Sequence, residues 1–110
     1  MPNIKLFVDE ARFDERKDKI EHLLPELRGV LSRGFNVSPE ACQIAVLPVL
    51  APSGQPEANL EVLIMPRVER TPERVRQTAE SAKLLLQREL SLSVAVRVGT
   101  LDPATYVALK

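Results

Sequence analysis

Apolar and polar residues alternate near the N-terminus. Ile4, Leu6 and Val8 fall on one side and Asn3, Lys5 and Phe7 on the other. That period of two predicts a strand over residues 3–8. The spacing then becomes helical. Ile20, Leu23, Leu24, Leu27 and Leu31 recur at steps of three and four, with Arg16, Lys17, Glu21, Arg28 and Ser32 outside the stripe. This predicts an amphipathic helix, with Asp14 as the candidate cap. Pro25 lies within it and lacks the amide that would bond Glu21, which predicts a kink there or a helix in two pieces. Gly34, Asn36, Ser38 and Pro39 mark its end. Residues 42–50, CQIAVLPVL, predict a second strand buried on both sides for part of its length, with Pro48 at a bulge or an edge. The turn-rich segment APSGQPE over 51–57 leads to a third strand over 59–65, and the short connection predicts an antiparallel hairpin.

Thr71-Pro72-Glu73 is a helix start, with a hydroxyl at the cap, proline at the first helical position and an acid in the first turn. Val75, Ala79, Ala82, Leu86 and Leu90 form the apolar stripe that follows. Residues 92–98 alternate again and predict a fourth strand. Asp102-Pro103 can open one last helical turn carrying Tyr106.

The order is therefore βαβ-βαβ, and the halves, about 1–50 and 59–110, resemble one another. At a shift of 58, Arg12 meets Arg70, Glu15 meets Glu73, Arg16 meets Arg74, Leu6 meets Ile64 and Leu27 meets Leu85. A strand-helix-strand crossover is right-handed and joins parallel strands. Two such units predict one α+β domain over 1–110: a four-stranded mixed sheet with both helices on one face, in pseudo-twofold repeat. Two helices cannot hide both faces of the sheet, so the bare face is expected to be buried by oligomerisation.

Composition narrows the function. The chain has 110 residues, 45% hydrophobic and 27% charged, which is ordinary globular composition. Fifteen Lys and Arg balance fifteen Asp and Glu, and aromatics are only 4%. Both argue against a dedicated nucleic-acid binder. No apolar run approaches the ~20 residues that cross a bilayer, and the N-terminus lacks a signal-peptide layout. A soluble cytoplasmic domain without a membrane partner is expected. Cys42 is the only cysteine and His22 the only histidine, so neither a disulfide nor a multi-His or cysteine-based metal site is available within the chain.

A few residues can carry chemistry. Met followed by Pro is a start that methionine aminopeptidase commonly cleaves, which would leave Pro2 as a secondary amine at the head of the first strand. A free α-amine titrates near pH ~7.7–8.0, and burial or a neighbouring arginine lowers that value. Such a base suits proton transfer near neutral pH; equally, proline at this position occurs in proteins of every class. Arg12 and Arg70 both follow a strand and precede a helix, where binding groups are commonly presented. Their planar forks match a carboxylate; they can equally pair with Glu10, Glu15, Glu69 or Glu73. His22 reads as a boundary residue and Cys42 as a small core residue. Arg97, in an alternating strand, belongs to an exposed face or an intersubunit site.

The start MPNIKLFVDEARFDERK, the βαβ-βαβ plan with weak internal symmetry, and the length together resemble the tautomerase superfamily. Arg12 stands where 4-oxalocrotonate tautomerases carry a carboxylate-binding arginine. RTPERVRQTAESAKLLLQREL, with Arg70 ahead of it, is similar to the corresponding helix of 5-carboxymethyl-2-hydroxymuconate isomerases, as is the closing YVALK. The resemblance implies a trimer with the sheets lining its centre, and an isomerase that moves a proton in a 2-oxo or 2-hydroxy-dienoate acid. Pro2, once Met1 is removed, would be the acid-base residue, and Arg70 and Arg12 would bind the carboxylate or polarise the carbonyl. Gln43 falls near the position of the second arginine of the 4-oxalocrotonate enzymes; as a neutral amide it donates a hydrogen bond with less charge stabilisation. No cofactor or metal is implied. Relatives dehalogenate or decarboxylate with the same proline. A non-catalytic member of the fold, binding a small carboxylate or serving a structural role, is the alternative expectation; a ferredoxin-like regulatory domain is a third.

Overall fold

A computed structural model describes residues 1–110. Its elements run β1 (Asn3–Asp9), α1 (Glu10–Phe35), a 3-10 turn (Pro39–Ala41), β2 (Gln43–Val49), β3 (Ala58–Ile64), α2 (Pro72–Leu90) and β4 (Val94–Thr100). The sheet order is β2-β1-β3-β4. β1 pairs in parallel with β2, β3 in parallel with β4, and β1 antiparallel with β3. The two βαβ units therefore meet at the central β1–β3 pair.

That order corrects the expected β2–β3 hairpin. β1 lies between them, because the crossover through α1 returns β2 to the outer side of β1. Residues 50–57 then pass over the end of β1 to start β3. Two inter-strand spacings are about 10 Å, which eight residues span easily. Asp9 N–H donates to Glu57 O at 2.9 Å where the loop crosses. Pro48 lies on the edge strand β2, where its missing donor costs no ladder bond on the outer side. β2 is half-buried to exposed along its length rather than buried on both sides.

The start of α1 also differs. Asp9, not Asp14, caps it, accepting from Ala11 N–H at 3.0 Å. Strand and helix share no loop, and Arg12 lies in the first turn of α1. Pro25 does not divide the helix; it and Glu21 are both exposed, so the missing bond falls on the solvent side. Asn36 in the left-handed conformation ends α1. Thr71 caps α2 as expected, its Oγ1 accepting from Arg74 N–H at 3.2 Å. Asp102 heads a hydrogen-bonded turn rather than a helix, with Tyr106 N–H donating to Asp102 O at 2.9 Å.

Both helices cover one face. Ile4, Leu6 and Val8 of β1 and Leu60, Val62 and Ile64 of β3 are buried beneath them with Leu27, Leu31, Phe35, Leu86 and Leu90. The helices are antiparallel and lie close. A Cβ on Gly34 would come within 2.3 Å of the Thr78 side chain, so glycine is needed there. Arginines from the first two turns of each helix bond carbonyls in the last turn of the other. Arg16 Nε donates to Leu90 O at 2.6 Å, and Arg74 Nε to Gly34 O at 3.0 Å. The 58-residue correspondence of Arg16 and Arg74 thus marks a shared role. The opposite sheet face carries Asn3, Lys5, Phe7, Asn59, Glu61 and Leu63, all half-buried. Lys5, Glu61 and Arg97 stand in one register row of alternating charge.

Candidate active site

Pro2 precedes β1 on the same side as Ile4, and its side chain is fully buried. Its carbonyl accepts from Gln43 N–H at 3.1 Å, which ties the head of β1 to the head of β2. Gln43 is exposed and opposite Asn3 in the register. Cys42, just before it, is completely buried, and burial pushes its thiol pKa up. Arg28 from α1 donates to Cys42 O at 3.1 Å. Because β3 runs antiparallel to β1, with Asn3 opposite Leu63, the chain leaving β3 passes this same end. The turn over residues 65–70 is therefore a neighbour of Pro2.

Arg70 ends that turn. Its Nη1 donates to Met65 O at 2.7 Å, and its Nε and Nη2 donate to Phe35 O at 3.2 and 3.0 Å. The guanidinium also lies 5.8 Å from the Phe35 ring centroid. Burial lowers the Arg70 pKa, with Arg67 acting in the same direction. The α-amine of Met1 is held below its ordinary value, first by burial and then by Lys110, Arg70 and Arg67. Cations and apolar walls thus disfavour an ammonium at this end of β1.

Arg12 lies elsewhere. At the far end of β1 it donates to Glu57 at 3.0 Å and to Glu15 at 2.8 Å. Seven strand residues separate that end from Pro2, about 23 Å at the usual rise. Arg12 and Arg97 line a cleft of about 630 Å³ beneath the 50–57 loop, with Phe7, Asp9 and Asn59. Arg97 Nη1 donates to Asn59 Oδ1 at 2.7 Å. One chain therefore places Pro2, Gln43 and Arg70 at one end of the sheet and Arg12 at the other. His22 is exposed on α1, away from the strand ends. No three His, Cys, Asp or Glu side chains group closely enough to hold a metal ion.

The sequence alone did not place the turn over 65–70, which carries Arg67, at this end of the sheet. The signal was available: had β3 been set antiparallel to β1, the residues after Ile64 would have fallen beside Pro2. The expected β2–β3 hairpin hid that adjacency.

No protein-family model matches the sequence, and no curated protein does. Solved structures do match. A fused 4-OT superposes with a TM-score of 0.75 at 12% identity, over 96% of this chain and 91% of that one. A malonate semialdehyde decarboxylase, described with decarboxylase and hydratase activities, gives 0.62 at 19% identity, over 97% and 90%. A protein of unknown function from Vibrio cholerae gives 0.74 at 20% identity, over 97% and 83%. At these identities the likeness is one of fold. The sheet order, the antiparallel central pair and the two helices on one face are matched over nearly the whole chain, and the protein has the tautomerase-superfamily fold.

Proposed function

We propose that the chain is a tautomerase acting on a small 2-oxo or 2-hydroxy-dienoate carboxylic acid, with Pro2 as its acid-base residue after Met1 is removed. The observation that carries this reading is the amine environment at the head of β1. Burial and three cations hold the Met1 α-amine below its ordinary value, and a free amine at Pro2, one residue along, would meet the same cations, which favour its neutral form. The free amine takes the enol O–H proton. The C–O bond becomes C=O as the C=C electron pair collects the proton from the resulting ammonium at carbon, and the amine is restored. Positive charge from Arg70 and its neighbours favours the oxyanion that develops on the way. The structural neighbours with tautomerase and decarboxylase names support this class of chemistry.

Arg12 joins such a site only from another copy, since it lies at the far end of its own β1. A homotrimer with the half-buried sheet faces at its centre supplies that copy and covers Phe7 and Leu63. Pro2→Ala is the test, with ketonisation of phenylenolpyruvate and of a 2-hydroxydienoate followed by absorbance on protein whose mass lacks Met1. Loss of roughly 100-fold or more is expected; an unchanged rate contradicts the proton-transfer role.

One observation favours the alternative, a non-catalytic small-carboxylate-binding or structural module. Every nitrogen of Arg70 already serves a backbone carbonyl, as a purely structural arginine would. No turnover by the Met1-free protein on either compound supports that alternative.

A further inference from the structure

The cleft beneath the 50–57 loop lies at the end of the sheet away from the Pro2 of its own chain. Its floor is one register row of the bare sheet face: Phe7, Asn59 and Ala95 on three neighbouring strands. Its volume, about 630 Å³, is that of a small-molecule site. Four charged side chains line it, Asp9, Arg12, Glu57 and Arg97.

Three of the four are already engaged. Arg12 donates from Nε to Glu57 and from Nη1 to both carboxylate oxygens of Glu15. Glu57 also accepts from Ser93 N–H at 3.3 Å. Asp9 caps α1 through Oδ1. Arg97 is the exception. It stands directly opposite Glu61 in the β3–β4 register, where opposite charges ordinarily pair. The two form no ion pair. Arg97 Nη1 instead reaches back to Asn59 Oδ1 at 2.7 Å, over the floor of the cleft. A full positive charge therefore meets only a neutral amide. The guanidinium keeps its remaining N–H donors, and Asn59, accepting through Oδ1, has its Nδ2 N–H groups left to give.

We infer that this cleft binds a small monocarboxylate, with the carboxylate on the Arg97 fork and the Asn59 amide and the apolar body over Phe7 and Ala95. The planar fork matches a carboxylate, and the aromatic ring supplies apolar area beside it. Asp9 and Glu57 on the walls oppose a second negative charge, so a singly charged acid fits better than a dianion. The site uses neither the Pro2 amine nor any turnover there.

The test titrates isotope-labelled full-length protein with benzoate, with benzamide as a probe of like shape and no charge, and with inorganic phosphate. Nuclear magnetic resonance follows the side-chain N–H signals of Asn59 and Arg97. Benzoate should shift both signals and saturate them. Benzamide should bind at least about tenfold more weakly, the size of one charge-assisted hydrogen bond, and phosphate more weakly than benzoate. Read at Asn59, Arg97→Gln should weaken benzoate by about tenfold at unchanged melting temperature, and Arg97→Lys should keep part of the affinity. Pro2→Ala should leave the affinity read at Asn59 and Arg97 unchanged. Equal binding of benzoate and benzamide overturns the inference, as does full affinity in Arg97→Gln. Absence of shifts at Asn59 and Arg97, or shifts confined to the Pro2 end, overturns it as well. Phosphate binding more tightly than benzoate overturns the assignment of a monocarboxylate. Ketonisation of phenylenolpyruvate reads the Pro2 chemistry separately, so either reading can fail while the other stands.

Discussion

The Pro2 ring is buried because it continues the inward-facing row of Ile4, Leu6 and Val8, and Arg70, Arg67 and Lys110 all act on the amine at this end of the strand. The sign for catalysis follows. A lowered amine pKa means that the free base is already present below the ordinary ~8 of an α-amine. The rate should rise with pH along an acid limb centred below that value, and a pH–rate profile of kcat/KM checks it. Glu15 offers a second titration. Its pKa is lowered, first by the hydrogen bond from Arg12 and then by that from Arg16. A carboxylate lowered on folding contributes stability above its unfolded value and loses it as pH falls through the folded one. Glu15→Gln should therefore cost stability at neutral pH, and the gap to the parent should close below about pH 4. Denaturant melts at pH 7 and pH 3 measure it.

Local signals carried well where chemistry was short-range. Thr71 and Pro72 marked the start of α2 because capping and the proline ring act within one turn. The start of α1 was misread because Arg16 and Lys17 interrupt the stripe that Phe13 begins. Arg16 is drawn inward by Leu90 O, a partner 74 residues away. At this scale Gly34 is the sharpest test. A methyl there meets Thr78 Cγ2 and Oγ1 at 2.3 Å, so Gly34→Ala should cost about 1–3 kcal/mol. That lowers the melting temperature by roughly 4–8 °C per kcal/mol for a chain this size. Thr78→Ala in the same background should recover part of the loss, since its Cβ, 2.8 Å from the added methyl, remains. Thermal melts of the three variants measure the cycle. Arg74→Gln removes the bonds to Gly34 O and Arg33 O and should cost about 1 kcal/mol.

At the scale of the whole molecule, the mixed sheet and its two crossovers were legible from periodicity and handedness. The position of β1 between β2 and β3 was not. A short loop permits either a hairpin or a passage over one strand, and the choice depends on the central antiparallel pairing, which is long-range. Pro2, Gln43 and Arg70 were singled out from residue type and resemblance; that the turn over 65–70 passes the head of β1 was not legible, because it follows only from that pairing. The half-exposed sheet face, with Lys5, Glu61 and Arg97 in one row, belongs on this account at the centre of three copies. Light scattering on a size-exclusion column should give three times the chain mass; a monomer contradicts the shared site.

The most direct measurement compares two preparations of the same chain, one retaining Met1 and one without it, each verified by intact mass. With Met1 present, the Pro2 nitrogen is an amide with no basic lone pair. The account predicts that phenylenolpyruvate is ketonised only by the Met1-free preparation. Equal rates in the two preparations would contradict the claim that the Pro2 amine carries the proton.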